Sequence, residues 1–428
     1  MAEMMATGNV SARLAIAGSQ RGVLFAAITG NMLCATATVH SVFGTFLVPL
    51  SETFNWTRAS ISVVLAIIAL SSAIVYPLAG RYADKHGTRR MILFGNLLFA
   101  LSVAALAFTN GSLPLFYATF LAIGIFGGLP STAIFSKLVA EWFRDNRGTA
   151  LGISAGIGNG IGAVCLPIIA ALLVAHAGWR IGYLGIALMI AGIGTPIYFL
   201  FLHDAPGFGE KTEEQEGDGT DPVGGLSIAE AARKSSFWLI MLAIASGGGI
   251  STAILSHVVP IVGDRGFGLA TGTAVVSVFA LVASLWQIVT GRLLDRSSGP
   301  RIVVPMYALA ILGLFLLEYG ASSPFLIAGG ICLGIALGCQ FGSLPFFIAR
   351  YFGLRHFGAI LGVMYSAVIA AQGTTPVLLD MAFDRYQTYR PAILIAMVVI
   401  AAGSLLLLLL PSYRNQIGKG APVMTVSH

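Results

Sequence analysis

The sequence predicts an all-α membrane protein in which twelve transmembrane helices form two six-helix, pseudo-symmetric bundles. The first observation is composition: 57% of the 428 residues are hydrophobic and only 10% are charged, whereas soluble domains carry about 25% charged residues. The second is a series of apolar runs that a polar stretch divides into two groups of six. The third is a charged loop that occurs at the matching place in each group. This pattern excludes a soluble globular protein.

Each apolar run is long enough to cross a bilayer as a helix, which takes about 20 residues. The runs cover residues 22–49, 58–80, 91–110, 114–140, 148–175, 179–203, 237–262, 269–291, 302–320, 324–350, 358–380 and 389–411. The domain boundaries follow from these runs. We predict an N-terminal tail (1–21), a first bundle (22–203), a linker (204–236), a second bundle (237–411) and a C-terminal tail (412–428).

The linker contains two kinds of sequence. Residues 210–221 are almost entirely acidic, polar or glycine, a composition typical of flexible segments. After it, Ser227 is followed three residues later by Glu230, the spacing of a capping box. We therefore expect a short amphipathic helix just before the seventh run.

The charged loop of the first half runs from Gly80 to Arg90, and a weaker copy runs from Gly291 to Arg301. Glycine lets two helices approach closely at such a turn. The aspartate of each loop, Asp84 or Asp295, can face a helix N-terminus or an arginine across the turn. Lys and Arg are most frequent in the loops after runs 2, 4, 8 and 10. The positive-inside rule therefore places these loops, the linker and both termini in the cytoplasm, and we expect a multi-pass protein of the inner (plasma) membrane.

A second repeat leads into runs 5 and 11. Glu141 to Gly152 and Arg350 to Gly362 occupy matching places in the two halves. With both repeats in register, the chain resembles the major facilitator superfamily, whose signature loop joins helices 2 and 3 and again helices 8 and 9. The resemblance implies two parallel six-helix repeats with a substrate site at the midplane between them.

Three further segments resemble the monocarboxylate and oxalate–formate porter branch of that superfamily: Pro49 to Ser62, His257 to Arg265 and Asp384 to Tyr389. The resemblance implies a small organic acid as the substrate. The chain departs from the branch where carboxylate-binding charges are usual, because Gln287, Ala283 and Met364 stand at those positions. An unpaired carboxylate buried there is costly. Either another group supplies the charge, or the substrate is less charged than a typical monocarboxylate.

Polar side chains inside the apolar runs are the candidate site residues. For substrate binding we expect His40, Asn31, Tyr117, His257, Gln287, Gln340 and Tyr365. For proton coupling we expect His40, which titrates near neutral pH, and Asp380. For gating we expect Asp84, Arg89, Lys137, Glu141 and Asp295. Helix-to-helix hydrogen bonding or simple packing is the alternative for each amide and tyrosine, and hydrogen bonding to a neighbouring helix is the alternative for His40. A gate or packing role is the alternative for His257, and an ion pair is the alternative for Lys137 and Glu141.

The sequence favours a monomeric secondary transporter over an enzyme. The resemblance to the porter branch implies proton-coupled uptake of a small organic acid. This acid would be a monocarboxylate or a metabolite of aromatic-compound breakdown, and a lactone is a further possibility. No phosphate-binding GxxxxGK[ST] loop supports ATP-driven transport. Four scattered cysteines indicate neither a disulfide framework nor a zinc site, and we expect no metal, no cofactor and no nucleic-acid partner. An efflux pump for amphipathic compounds and a non-transporting membrane sensor remain the alternatives.

Overall fold

The computed structural model describes residues 19–205, 225–297 and 299–412, without the side chains of His40, Arg58, Ala59 and Leu269. In this part of the chain, eleven stretches are long and apolar enough to cross a membrane. The fifth, Arg147–Phe201, is 55 residues long and bends sharply at Gly178, whose φ of 82° is unfavourable for other residues. It therefore supplies two passages, and the predicted twelve-helix all-α fold is confirmed. The acidic segment 210–221 lies outside the described residues.

The helices are numbered α1 to α12 in chain order. They are α1 Ser19–Phe54, α2 Arg58–His86, α3 Arg89–Phe108, α4 Leu113–Trp142, α5 147–177, α6 179–201, α7 Ser235–Asp264, α8 Leu269–Arg296, α9 Pro300–Tyr319, α10 Ser323–Tyr351, α11 Phe357–Tyr386 and α12 Arg390–Leu408. Helices α1–α6 form one bundle and α7–α12 the other. We call the membrane side that carries the two signature loops and the linker the linker face, and the other side the opposite face.

Helix α1 is not a regular helix throughout. A bend at Cys34 is followed by a π-helical segment, Thr36–His40, and a turn before the α-helix Phe43–Phe54 begins. π-Helical turns are frequent at functional sites. The pseudo-symmetric counterpart, α7, is a continuous helix but contains Gly247, Gly248 and Gly249 in a row.

Glycines bring α5 into close contact with two neighbours. Every fourth residue from Gly148 to Gly160 is a glycine, and this side faces α8 in the other bundle. A Cβ added at Gly291 of α8 would lie 2.0 Å from the carbonyl oxygen of Gly148. Gly158 and Gly162 face α1, where an added Cβ would lie 2.5 Å from a backbone oxygen in each case. The close packing expected of small residues in membrane helices is therefore present on two sides of α5.

The α2–α11 pair forms the matching contact between the bundles. A Cβ added at Gly80 would lie 2.0 Å from the carbonyl oxygen of Gly358. One turn further into the membrane, Gly362 packs in the same way on the backbone of Tyr76. The two bundles therefore meet along two pseudo-symmetric seams, α5–α8 and α2–α11.

The predicted capping box is present. Ser227 and Glu230 exchange the expected hydrogen bonds at the start of the linker helix, Ile228–Ala232, and the bonds from Ser227 lower the pKa of Glu230. Just before it, the backbone N–H of Leu226 donates to the carbonyl of Phe352 at 2.8 Å. The end of the linker is thus attached to the loop that precedes α11.

Candidate functional site

The carboxylate of Asp84 lies at the N-terminus of α11, in the other bundle. Its two oxygens accept hydrogen bonds from the backbone N–H groups of Gly358, at 3.0 Å, and Ala359, at 2.9 Å. The first N–H groups of a helix have no partner within the helix, and the helix dipole favours an anion there. Of the two partners that the sequence allowed for this aspartate, the structure shows the helix N-terminus.

Asp295 makes the same contact at the other seam. Its carboxylate accepts hydrogen bonds from the backbone N–H groups of Gly148 and Thr149, both at 2.7 Å, and from the Thr149 hydroxyl at 2.7 Å. The two signature loops therefore cap α11 and α5 across the seams. Both caps lie at the linker face and hold the bundles together there.

Lys137 adds a buried charge cluster beside the first cap. Its side chain is 2% exposed, and its Nζ lies 3.2 Å from Asp84 Oδ1. The same ammonium group donates a hydrogen bond to Glu141, one turn along α4. The structure thus shows the Lys137–Glu141 ion pair and extends it to the carboxylate that caps α11.

Arg89 lies away from both seams. Its backbone N–H donates to Asp204 at 3.1 Å, and its guanidinium donates to the carbonyl of Phe199 at 3.0 Å. Asp204 also accepts from the N–H and hydroxyl of Thr88. These contacts join α3 to the end of α6 within the first bundle. The structure therefore gives Arg89 contacts within the first bundle, whereas Asp84 and Asp295 bridge the two bundles.

Four predicted substrate residues lie at one depth of the membrane. Asn31, Gln287, Gln340 and Tyr365 are eight to twelve residues from the linker-face ends of their helices, or about 12–18 Å at 1.5 Å per residue. Their exposed fractions are 0%, 6%, 1% and 6%, respectively. They belong to four different helices from both bundles. In the described part of the helices, no Lys or Arg lies at this depth.

Gln287 sits in the α5–α8 seam. A Cβ at Gly152 would lie 2.4 Å from the carbonyl oxygen of Gln287, and a Cβ at Gly156 would lie 3.4 Å from its Cβ. Asn31 contacts the next part of α5, because a Cβ at Gly158 would lie 2.5 Å from the Cβ of Asn31. The two amides therefore flank the same glycine-rich stretch of α5.

Gln340 lies against the three consecutive glycines of α7. A Cβ at Gly247 would lie 2.7 Å from its Nε2 and 2.4 Å from the hydroxyl oxygen of Tyr307. Tyr365 lies in the α2–α11 seam, where its ring meets Tyr76 edge to face with centroids 6.3 Å apart. The amides and tyrosines at this depth thus line both seams and the α7–α10 contact.

The amide groups at this depth are incompletely hydrogen bonded. Asn31 Nδ2 donates to the carbonyl of Ala27 at 3.0 Å, and Gln287 Nε2 points to the carbonyl of Ala283 at 3.4 Å. Among the described residues, their side-chain oxygens have no partner, and Gln340 has none for either its nitrogen or its oxygen. Buried polar groups are normally paired. These atoms are therefore candidates for ligand contact.

Two predicted substrate residues, Tyr117 and His257, are not at this depth. Tyr117 is close to the opposite-face end of α4, where its hydroxyl donates to the carbonyl of Ser60 at 2.8 Å. The side chain of His40 lies outside the described residues. The substrate role predicted for Tyr117 would therefore require a contact near the opposite face.

His257 and Asp380 form a pair near the opposite face. His257 Nε2 lies 2.8 Å from Asp380 Oδ1, and its Nδ1 lies 2.7 Å from the carbonyl of Ala253. Asp380 is 60% exposed, whereas His257 is 13% exposed. Nearby, burial raises the pKa of Tyr389, and the carboxylate of Asp380 raises it further. The pair joins α7 to α11 within the second bundle.

Asn159 is a polar residue that the sequence reasoning missed. It lies on α5 between Gly158 and Gly160, and its Oδ1 is 3.7 Å from the Sγ of Cys34. Asn159 lies beside the bend of α1, at the same depth in the membrane as Asn31. The sequence feature that could have identified Asn159 is a single amide inside a glycine-rich apolar run.

Two helix bundles joined along two seams, with polar groups buried at mid-depth, define the class of twelve-helix membrane transporters. A family model described as Major Facilitator Superfamily matches residues 29–370 and, in a second match, 274–424. The chain belongs to the major facilitator superfamily.

Individual relatives are distant. The uncharacterized MFS-type transporter YcxA of Bacillus subtilis (strain 168) is 24% identical over 165 residues, 38% of this chain and 40% of that protein. The oxalate:formate antiporter of Oxalobacter formigenes is 23% identical over 249 residues, 58% of this chain and 56% of that protein. The chain thus spans about half the length of these relatives. The crystal structure of the transporter FucP in the outward conformation shares the fold, with a TM-score of 0.71, 16% identity and coverage of 91% of this chain and 98% of that one.

Proposed function

We propose that the protein is a secondary active transporter that takes up a small organic acid, or its lactone, together with a proton by alternating access. The observation that carries this proposal is the set of incompletely paired amides Asn31, Gln287 and Gln340, buried at one depth. Such a site can recognise a small polar solute through hydrogen bonds. The distant similarity to the oxalate:formate antiporter supports an acid as the solute.

We propose that the structure represents the outward-facing conformation of the transporter. Both helix caps close the seams at the linker face, and the cation bias of the loops supports a cytoplasmic location for that face. At the opposite face the carboxylate of Asp380 is largely exposed. In the proposed cycle, the solute enters from the opposite face, and breaking the two caps opens the cytoplasmic side.

The proposed coupling ion is the proton. A secondary transporter that accumulates an anion against the membrane potential needs a second gradient, and we propose that the proton gradient is the one used. The proposed protonatable residues are His40 and Asp380, and Asp380 is paired with His257 on the entry side of the amides. These roles remain predictions.

The proposal is tested in proteoliposomes with an acidic exterior, using radiolabelled benzoic, 4-hydroxybenzoic, lactic and glycolic acids as candidates. We expect accumulation of at least one acid above that in protein-free liposomes, and nigericin, which collapses the pH gradient, should remove the difference. Gln287→Ala should reduce uptake at least tenfold. Accumulation that survives nigericin would contradict proton coupling, and full uptake by Gln287→Ala would remove that residue from the site.

A further inference from the structure

The orientation of the amides at the proposed site is set by the backbone. Asn31 Nδ2 faces the carbonyl of Ala27, and Gln287 Nε2 faces that of Ala283, four residues earlier in each helix. A carbonyl oxygen accepts hydrogen bonds but cannot donate them. Turning either amide over would bring two oxygens together. Each amide therefore keeps its NH₂ group on the backbone and leaves its oxygen for another partner.

The site consequently offers mostly hydrogen-bond acceptors. Asn31 Oδ1 and Gln287 Oε1 are buried without a partner in the described part of the chain, and Gln340 offers one oxygen and one NH₂ group. An ionised carboxylate has only acceptors, so it would face these oxygens unfavourably. A protonated carboxyl group has one O–H, which can donate to a free amide oxygen such as Gln287 Oε1, and one carbonyl oxygen, which can accept from the Gln340 NH₂ group.

The surrounding charges give a carboxylate no compensation. Among the described residues, the titratable groups that adjoin the amides and Tyr365 are thiols and phenols, which are uncharged near neutral pH. They are Cys34 on α1, Tyr76 on α2, Tyr307 on α9, Cys339 on α10 and Tyr365 on α11. On the linker side, the charge of Lys137 is shared by Asp84 and Glu141. On the opposite side, His257 and Asp380 pair with each other.

We propose that the transporter binds its substrate as the neutral, protonated acid, so that the proton crosses on the substrate's own carboxyl group. This inference rests on the proposed function. Outside, the carboxylate takes up one proton and an O–H bond forms. The neutral acid binds with its O–H donating to an amide oxygen and its carbonyl accepting from an amide NH₂ group, and it crosses in this form. On the other side the O–H bond breaks, and the carboxylate and the proton leave separately. The His257–Asp380 pair lies between the amides and the opposite face.

The test compares three forms of each candidate acid on the purified protein in nanodiscs: the acid, its primary amide and its methyl ester. Dissociation constants for benzoic, 4-hydroxybenzoic, lactic and glycolic acids and their derivatives are measured from pH 4.5 to 7.5. For an acid that binds, we expect the affinity to fall about tenfold per pH unit above the pKa of the acid. The neutral amide, which retains N–H donors, should bind equally at all pH values. The methyl ester, which has no carboxyl donor, should bind at least tenfold more weakly than the amide.

Two variants test the amide itself. Gln287→Met removes the free oxygen at similar volume and should weaken binding of the acid and the amide by the same factor, at least tenfold, with an unchanged pH slope. Gln372→Met makes the same change at an amide whose Nε2 bonds Thr252, and it should leave both affinities within about twofold. If Gln287→Met does not fold, the three-form comparison on the unmodified protein decides the question alone.

Affinity that stays level or rises with pH, or a methyl ester that binds as tightly as the amide, would overturn the inference. If such an acid is still accumulated in proteoliposomes, the proposed function survives and only the protonated form is wrong. If no acid binds or is transported at any pH, the proposed function fails as well.

Discussion

Lys137 shows how a single buried charge can depend on both bundles. Its ammonium group lies between Glu141 of its own helix and Asp84 of α2, and Asp84 is held in turn by the N–H groups at the start of α11. Removing one partner from a buried ion pair leaves an uncompensated charge, which costs more than the pair itself contributes. Lys137 therefore matters mainly through the two carboxylates it neutralises.

Lys137→Met is expected to destabilise the protein by about 3–5 kcal/mol, because two carboxylates stay buried without a cation. The measurement is the thermal unfolding midpoint of the purified protein, followed by tryptophan fluorescence. The double variant Lys137→Met/Glu141→Gln should recover part of the loss, since only Asp84 then remains charged. A single variant that unfolds at the temperature of the unmodified protein would contradict the importance of this cluster.

At the residue scale, the sequence predicted polar positions better than their partners. Lys137 and Glu141 are one helical turn apart, so their pairing follows from helix geometry. Asp84 and Gly358 are 274 residues apart, and only the packing of the two bundles brings them together. The sequence also did not predict the pairing of His257 with Asp380 or the contact between Asn159 and Cys34, because these residues are far apart in the chain.

At the scale of helices, the glycine spacing on α5 and α11 decides how closely the bundles approach. Gly148 and Gly291 meet backbone to backbone, as do Gly80 and Gly358. No side chain fits between such helices, and contact at this distance lets dispersion forces act along the whole seam.

Gly291→Val is expected to abolish transport while leaving the protein folded, because its Cβ would lie 2.0 Å from the oxygen of Gly148 and keep the α5–α8 seam apart. Gly263→Val is the matched control, since a Cβ there meets nothing within 4 Å. Uptake and gel-filtration profiles of both variants are compared. Normal uptake by Gly291→Val would show that the seam does not need this approach.

The helices themselves were predictable, and their irregularities were not. Long apolar runs and the Ser227–Glu230 spacing correspond to helices in the structure, because hydrophobicity and capping act locally. The π-helical segment Thr36–His40 in α1 has no local signal, since no glycine or proline lies within it. Its shape depends on the neighbouring helices rather than on its own sequence.

For the whole molecule, the two caps act at equivalent points of the two halves. Asp84 caps α11 and Asp295 caps α5, so each half closes a seam with the other half. The twofold pattern was readable from the repeated loops. The sequence did not predict which membrane face is closed in this structure. The reason is that the same residues must close the seams in some conformational states and open them in others.

Asp84→Asn and Asp295→Asn should each weaken closure of the linker face by about 1–2 kcal/mol, a factor of roughly 5–30. An amide keeps the shape but loses the charge and turns an NH₂ group toward the N–H donors. The two effects should add, because the caps belong to different seams.

The readout is the maleimide labelling rate of Ser136→Cys, a buried position near the linker face, in a background without the native cysteines. The rate should rise in each variant and rise further in the double variant. Asp145→Asn, at an exposed loop residue, serves as the control. Labelling that is equally slow in all variants would mean that the caps do not hold this face shut.

The interruption of α1 and the three glycines of α7 occur at similar depths in equivalent helices, yet they differ in kind. Helix α1 is already interrupted between Cys34 and Phe43, whereas α7 is a continuous helix whose three glycines lower helix stability by about 0.5–1 kcal/mol each. The first bundle therefore has a helix that is already interrupted, and the second has a helix that can bend at its glycines. A solute that binds between them would meet one wall whose shape is set in advance and one that can still adapt to it.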